Sequence, residues 1–204
     1  MTWPQETRDR AEAILARYPE PRSAVMPLLY LAMREDQGLT PDGMRHVAEY
    51  TGLTPVQVES VASFYTMFKG AGVGQFVLSV CTSISCHLLG GDEVLAAVAD
   101  EAGVRPGGTD DSGTVFIERA ECIGACGGAP AAQVNYEMVE GLTPEAGRRL
   151  CRWLIDDKPE LINSDDMQEQ FGGQRAFDWG PDEPRGAIGP YPAFGPLGTV
   201  GEKK

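Results

Sequence analysis

The side chains with the strongest claim to chemistry are five cysteines: Cys81, Cys86, Cys122, Cys126 and Cys151. Four of them form two pairs, spaced C-x4-C and C-x3-C, with 35 residues between the pairs. Each pair follows an apolar run that reads as a short strand, FVLSV before Cys81 and VFIERAE before Cys122. If those strands are neighbours in one sheet, their C-terminal ends lie side by side and the thiols converge. Converging thiolates bind zinc or an iron–sulfur cluster. The spacing favours a [2Fe–2S] cluster, in which each iron takes one pair. Structural zinc sites grip a single ion with tighter loops. Small residues suit the cluster too. Gly124, Gly127 and Gly128 allow close approach and positive φ, and Thr82, Ser83 and Ser85 offer hydroxyls to sulfur or backbone.

Other uses of the cysteines fit less well. A thioredoxin-type dithiol needs C-x-x-C at a helix start, and neither pair has that spacing. A Rieske centre needs two histidine ligands, whereas His46 falls in a helical region and only His87 lies beside a cysteine. His87 reads as an exposed loop residue. Cys151, in GRRLCRWLI, has no cysteine near it in sequence and reads as a buried, inert thiol.

The elements that must position these thiols fall into three blocks. Residues 1–70 read as a four-helix bundle. Its apolar stripes are Ala11, Ile14, Leu15 and Tyr18, then Val25, Leu28, Leu29 and Ala32, and last Val58, Val61, Ala62, Tyr65 and Phe68. Thr40-Pro41 and Thr54-Pro55 are helix starts, and Gln57 completes a capping box with Thr54. Residues 75–157 read as strand, helix, strand, strand, a further short strand and a last helix from Thr143-Pro144, a small α/β layer with one mixed sheet. The fold class expected is α+β. Residues 158–204 show no convincing periodicity, and from Asp165 they hold eight Gly and five Pro in forty residues. That composition predicts an extended tail without a core of its own, either disordered or draped over a partner. Phe171, Phe177, Trp179, Tyr191 and Phe194 are its candidate anchors.

Composition excludes several functions. A net charge of −13 repels phosphate backbones, so nucleic acid is not an expected partner. No apolar run approaches the ~20 residues that span a bilayer. The N-terminal MTWPQETRDRAE lacks a signal core, so a cytosol-facing protein is expected. No G-x-G-x-x-G follows a strand, so the chain is not expected to bind NADH or flavin itself.

VCTSISCHLLGGDE, ECIGACGGAPAAQVN and SVASFYTMF resemble the thioredoxin-like [2Fe–2S] ferredoxins, and within them the 24-kDa-type E subunits of bacterial NADH-quinone oxidoreductases. The resemblance covers about Arg8 to Asp157, and Ser85 stands where such loops often carry proline. It implies a thioredoxin-like domain after the helical bundle. It implies that Cys81, Cys86, Cys122 and Cys126 ligate one [2Fe–2S] cluster. It further implies partners: an FMN- and NADH-binding subunit that exchanges single electrons with the cluster, and a neighbouring iron–sulfur subunit. The complex would sit peripherally on the cytoplasmic side of the cell membrane. Related subunits of NAD-linked hydrogenases and formate dehydrogenases have similar loops. A zinc-stapled adaptor and a free-standing ferredoxin are the alternatives of other kinds.

Overall fold

The computed structural model describes residues 3–177, 180, 183–191, 196 and 200–202. The chain divides into two compact units, Met1–Gly72 with Tyr191–Thr199, and Val73–Pro190 with Val200–Lys204.

Among the described residues the first unit contains four α-helices, as the three stripes and the Thr-Pro starts predict: α1 (Gln5–Leu15), α2 (Val25–Glu35), α3 (Pro41–Thr51) and α4 (Pro55–Phe64). A 3-10 turn at Pro21–Ala24 leads into α2. The Thr-Pro starts cap as expected. The Thr40 hydroxyl accepts from Gly43 N at 3.0 Å. Thr54 and Gln57 form the reciprocal capping box. Ala11, Ile14, Leu28, Leu29, Ala32 and Val58 are buried together. The stripes overreach only at helix ends: α1 stops at Leu15, so Tyr18 lies outside it and is exposed.

The second unit is built on a five-stranded mixed sheet. Its strands are β1 (Phe76–Cys81), β2 (Gly108–Thr109), β3 (Val115–Ala120), β4 (Ala131–Val134) and β5 (Glu137–Glu140), in the order β2-β3-β1-β4-β5. β1 and β3 are parallel, and the other pairs are antiparallel. Parallel neighbours need a long crossover, which here runs through α5 (Ile84–Leu88) and α6 (Gly91–Ala102). β4 and β5 form a two-residue hairpin at Asn135 and Tyr136. Both residues have positive φ, 50° and 74°, which suits the twist of such hairpins. The Asn135 carboxamide also accepts from Val77 N at 2.9 Å and donates to Gln75 O at 3.1 Å, tying the turn to β1. α7 (Pro144–Asp156) starts from the Thr143 cap. Phe76, Leu78, Val80 and Ile117 of the sheet pack with Val94, Leu95 and Val98 of α6 and with Leu150 and Leu154 of α7.

The C-terminal block departs from the extended tail expected for residues 158–204. α8 (Ser164–Phe171) follows α7, with Asn163 as its cap accepting from Asp165 N and Asp166 N. Ile162, Met167 and Phe171 are buried in the sheet-domain core, and Phe171 packs against Trp153 at 5.4 Å between ring centroids. Burying those side chains on an existing sheet supplies the core that the segment could not build alone. β6 (Arg185–Ala187) and β7 (Val200–Glu202) form a small antiparallel ribbon, and Ala187 bridges to Ile162. The expected anchors take different places. Phe171 is core, Phe177 is exposed, and Tyr191 packs into the helical unit. Trp179 and Phe194 lie outside the described residues.

Candidate metal centre

Parallel pairing of β1 and β3 brings the two cysteine loops together. Cys81 is the last residue of β1, in register with Ala120, the last residue of β3. Cys122 follows two residues later. The loops are also linked directly, by Thr82 N to Ala120 O at 3.2 Å and by the Ser83 hydroxyl to Glu121 at 3.4 Å. Cys81, Cys86, Cys122 and Cys126 all line one open cavity of about 680 Å³, together with Thr82, Ser83, Ile84, Ser85, His87, Leu88 and Glu121.

The first loop is not irregular, as the sequence suggests. It contains the short helix α5, which turns Cys86 inward next to Cys81. These two thiols are 2% and 3% exposed and pack with Ala125 and Ala131. Burial pushes the Cys86 thiol up to about 11, and the hydrogen bond and charge of Cys81 and the charge of Cys126 add to this against a backbone bond at Ala131. Such a thiol ionises readily only when a cation compensates it. The loop is held from behind by α6. Gly90 has φ +98°, and a Cβ on Gly91 would stand 2.7 Å from Cys81 O and 2.9 Å from Cys86 O.

The second loop is open to solvent, with Cys122 and Cys126 both exposed. Their Sγ atoms are 3.8 Å apart. Two sulfurs on one tetrahedral metal ion, at about 2.3 Å each, stand about 3.8 Å apart. The Cys122–Cys126 separation thus already suits two ligands of one metal ion. Among the described residues no three His, Cys, Asp or Glu side chains gather tightly enough to share a single ion. Of the three glycines expected to take positive φ, only Gly124 does, at +88°. Gly127 and Gly128 serve close approach instead, and the approach is to this chain's own residues. A Cβ on Gly127 would meet Ala176 Cβ at 2.9 Å, and one on Gly128 would collide with Glu140 Oε2.

Of the remaining sulfur and imidazole groups, His87 lines the cavity, whereas Cys151 and His46 lie elsewhere. Cys151 is fully buried on α7, with its Sγ 3.6 Å from Val98 O, and burial pushes its thiol up to about 12. His46 lies on α3. His87 is exposed on α5 and pairs with Asp92 at 2.5 Å, and Asp92 also meets Arg119 at 2.8 Å. His87 and Arg119 hold the Asp92 carboxyl below its usual range.

Residues 11–154 match the family model of the thioredoxin-like [2Fe–2S] ferredoxins. The chain belongs to that family. It is 41% identical over 150 residues to the NADH-quinone oxidoreductase E subunit of Mycobacterium bovis, a match covering 74% of this chain and 60% of the relative. It is 35% identical over 161 residues to the mitochondrial NADH dehydrogenase [ubiquinone] flavoprotein 2 of Dictyostelium discoideum, covering 78% and 65%. An NADH-quinone oxidoreductase component from Thermus thermophilus is 34% identical, covering 65% of this chain and 74% of the relative. The chain thus spans under two thirds of the length of the first two. Among solved structures, an NAD+-reducing [NiFe]-hydrogenase in the air-oxidised state superposes with a TM-score of 0.60 at 19% identity, covering 72% of this chain and 25% of that one. That likeness is one of fold.

Cys81 ends β1 and Cys122 lies two residues past β3, as the strand-then-cysteine pattern implies, while Cys86 and Cys126 are carried by α5 and a 3-10 turn. Gly91, Glu140 and Ala176 are not singled out by that pattern. The Gly90-Gly91 doublet is a visible signal of crowding. Glu140 carries none, because its role depends on a segment more than thirty residues further along.

Proposed function

We propose that this chain is the electron-transfer subunit of an NADH-quinone oxidoreductase. Cys81 and Cys86 would hold one iron of a [2Fe–2S] cluster, and Cys122 and Cys126 the other. The observation that carries the reading is the set of four thiols, delivered in two pairs by parallel strand ends into one cavity. The family match to residues 11–154 supports it. When bound, the cluster accepts and returns one electron. The chain's part is to supply the thiolates, to shield the Cys81–Cys86 side from water and to leave the other side open.

FMN and NADH belong, on this reading, to an adjacent subunit, and a neighbouring iron–sulfur subunit completes the surroundings. Ile84, Leu88 and Leu89 are 79%, 76% and 61% exposed on and just after α5, beside the cavity, and an apolar rim of that kind suits a partner face. No helix among the described residues is long and apolar enough to cross a membrane. Attachment to the cytoplasmic side of the membrane would therefore be through partner subunits. The curated relatives favour a quinone reductase as the parent complex over a hydrogenase, whose likeness here is of fold alone.

Anaerobic purification tests the reading directly. A brown protein with about two irons and two sulfides per chain, and an EPR signal after dithionite, is expected. A colourless protein with one zinc per chain would identify the zinc-stapled adaptor instead. Leu89→Asp, outside the cavity lining, should leave the cluster spectrum unchanged and reduce co-purification with the flavin subunit.

A further inference from the structure

The second thiol pair has no more than a three-residue 3-10 turn of its own, Cys126–Gly128, yet its backbone is fixed from behind. Glu140 ends β5 and is only 5% exposed. Its carboxylate occupies the space that a side chain on Gly128 would need. It accepts from Ala176 N at 2.5 Å. Ala176 in turn presses against Gly127. The backbone of β5's end completes the joint. Gly141 N donates to Gly128 O at 2.6 Å, and Gly173 N donates to Glu140 O at 2.9 Å. Gln168 of α8 fastens the same point, accepting from Glu140 N at 2.8 Å and donating to Glu140 O at 3.1 Å.

We infer that Glu140 and the segment Gly172–Ala176 form a brace that positions the Cys122–Cys126 half of the metal centre. The Gly172–Ala176 part of the brace comes from beyond residue 154, where the family match ends. This chain thus sets one half of a shared site with a segment outside the shared domain. Glu140 is a positioning residue. It reaches the Cys126-Gly127-Gly128 turn through Gly128 and touches no reacting atom. Without the carboxylate, Ala176 N loses its acceptor and the turn loses the wall behind Gly128. A buried charge-assisted hydrogen bond and a packing contact go together.

The inference rests on the cluster reading for one readout and is independent of it for the other. In the full chain loaded with iron and sulfide, bleaching under a chelator reports release of the cluster. Glu140→Ala and Ala176→Pro, which removes the donor, should each speed release about tenfold. Combined, they should be little faster than either alone, because both break one joint. Glu140→Gln keeps an acceptor oxygen and should stay within about threefold of the unaltered chain. Amide exchange in the cluster-free chain is the second readout. Glu140→Ala should accelerate exchange in residues 122–128 and leave residues 81–88 unchanged. Release at the unaltered rate in Glu140→Ala, full additivity of the two changes, or equal exchange in both loops would overturn the brace. If the unaltered chain takes up no cluster, the cluster reading fails and the exchange experiment still decides the brace.

Discussion

The two cysteine loops hold chemically identical thiols by opposite means. The first places Cys81 on a strand and Cys86 on a helix, both buried, with α6 pressed against the loop at Gly91. The second places Cys122 and Cys126 on an exposed turn whose only regular piece is a three-residue 3-10 segment, Cys126–Gly128. Its order is borrowed from Glu140 and Ala176. The first pair is thus built into the domain core, and the second is propped from outside it. On the proposed electron-transfer reading the asymmetry keeps one side of the site dry while the other stays open to solvent.

The comparison can be broken most severely at the ligands. Cys86→Ala should abolish cluster uptake while the far-ultraviolet circular dichroism stays near that of the unaltered chain. A persistent cluster in this variant would remove Cys86 from the ligand set. Next in size is thiol reactivity in the cluster-free chain. Burial pushes the Cys86 thiol well above the ordinary thiol range, so little of it is thiolate at pH 8. Peptide mapping after brief iodoacetamide treatment should therefore find the exposed Cys122 and Cys126 labelled about tenfold faster, or more, than the buried Cys81 and Cys86. Equal labelling would erase the distinction between the pairs.

Gly91→Ala asks whether the first loop depends on its packing. The new methyl group has only backbone to push against, so a loss of about 2 kcal/mol in a urea titration is expected. The smallest effect belongs to a residue remote from both loops. Asp110 sits in the turn before β3, where Ser112, Thr114 and Val115 donate to it. Burial raises its carboxyl, but the Ser112 hydroxyl and these amides outweigh that and leave it below the usual range. A carboxyl depressed on folding stabilises the protein above its unfolded pKa, near 3.9, and the gain is lost as pH falls through the folded value. Asp110→Asn should cost about 1 kcal/mol at pH 7 and progressively less below about pH 4, without favouring either loop.

Much of this could be read from the residues alone because the signals are local. A Thr-Pro start fixes its own cap, and Thr40, Thr54 and Thr143 all do so. Strand-then-cysteine, repeated, placed the thiols once β1 and β3 were neighbours. What escaped was either short or distant. α5 spans five residues, too few for a period to emerge. α8 has just Met167 and Phe171 on its buried face, diluted by the glycines and prolines that follow, although Asn163 with Asp165 and Asp166 was a legible start. Glu140 looks like any surface glutamate in EMVEG, because what buries it arrives from residues 168–176.

The parallel register of β1 and β3 also orders events in time. At about 5–20 residues per second, the 36 positions from Cys86 to Cys122 separate the two pairs by about 2–7 s of synthesis. During that interval the earlier pair emerges without the later one. Neither pair faces the other until non-local strand pairing closes the sheet, a slow step in folding. On the proposed reading, cluster delivery therefore belongs to maturation of a finished domain rather than to the emerging chain.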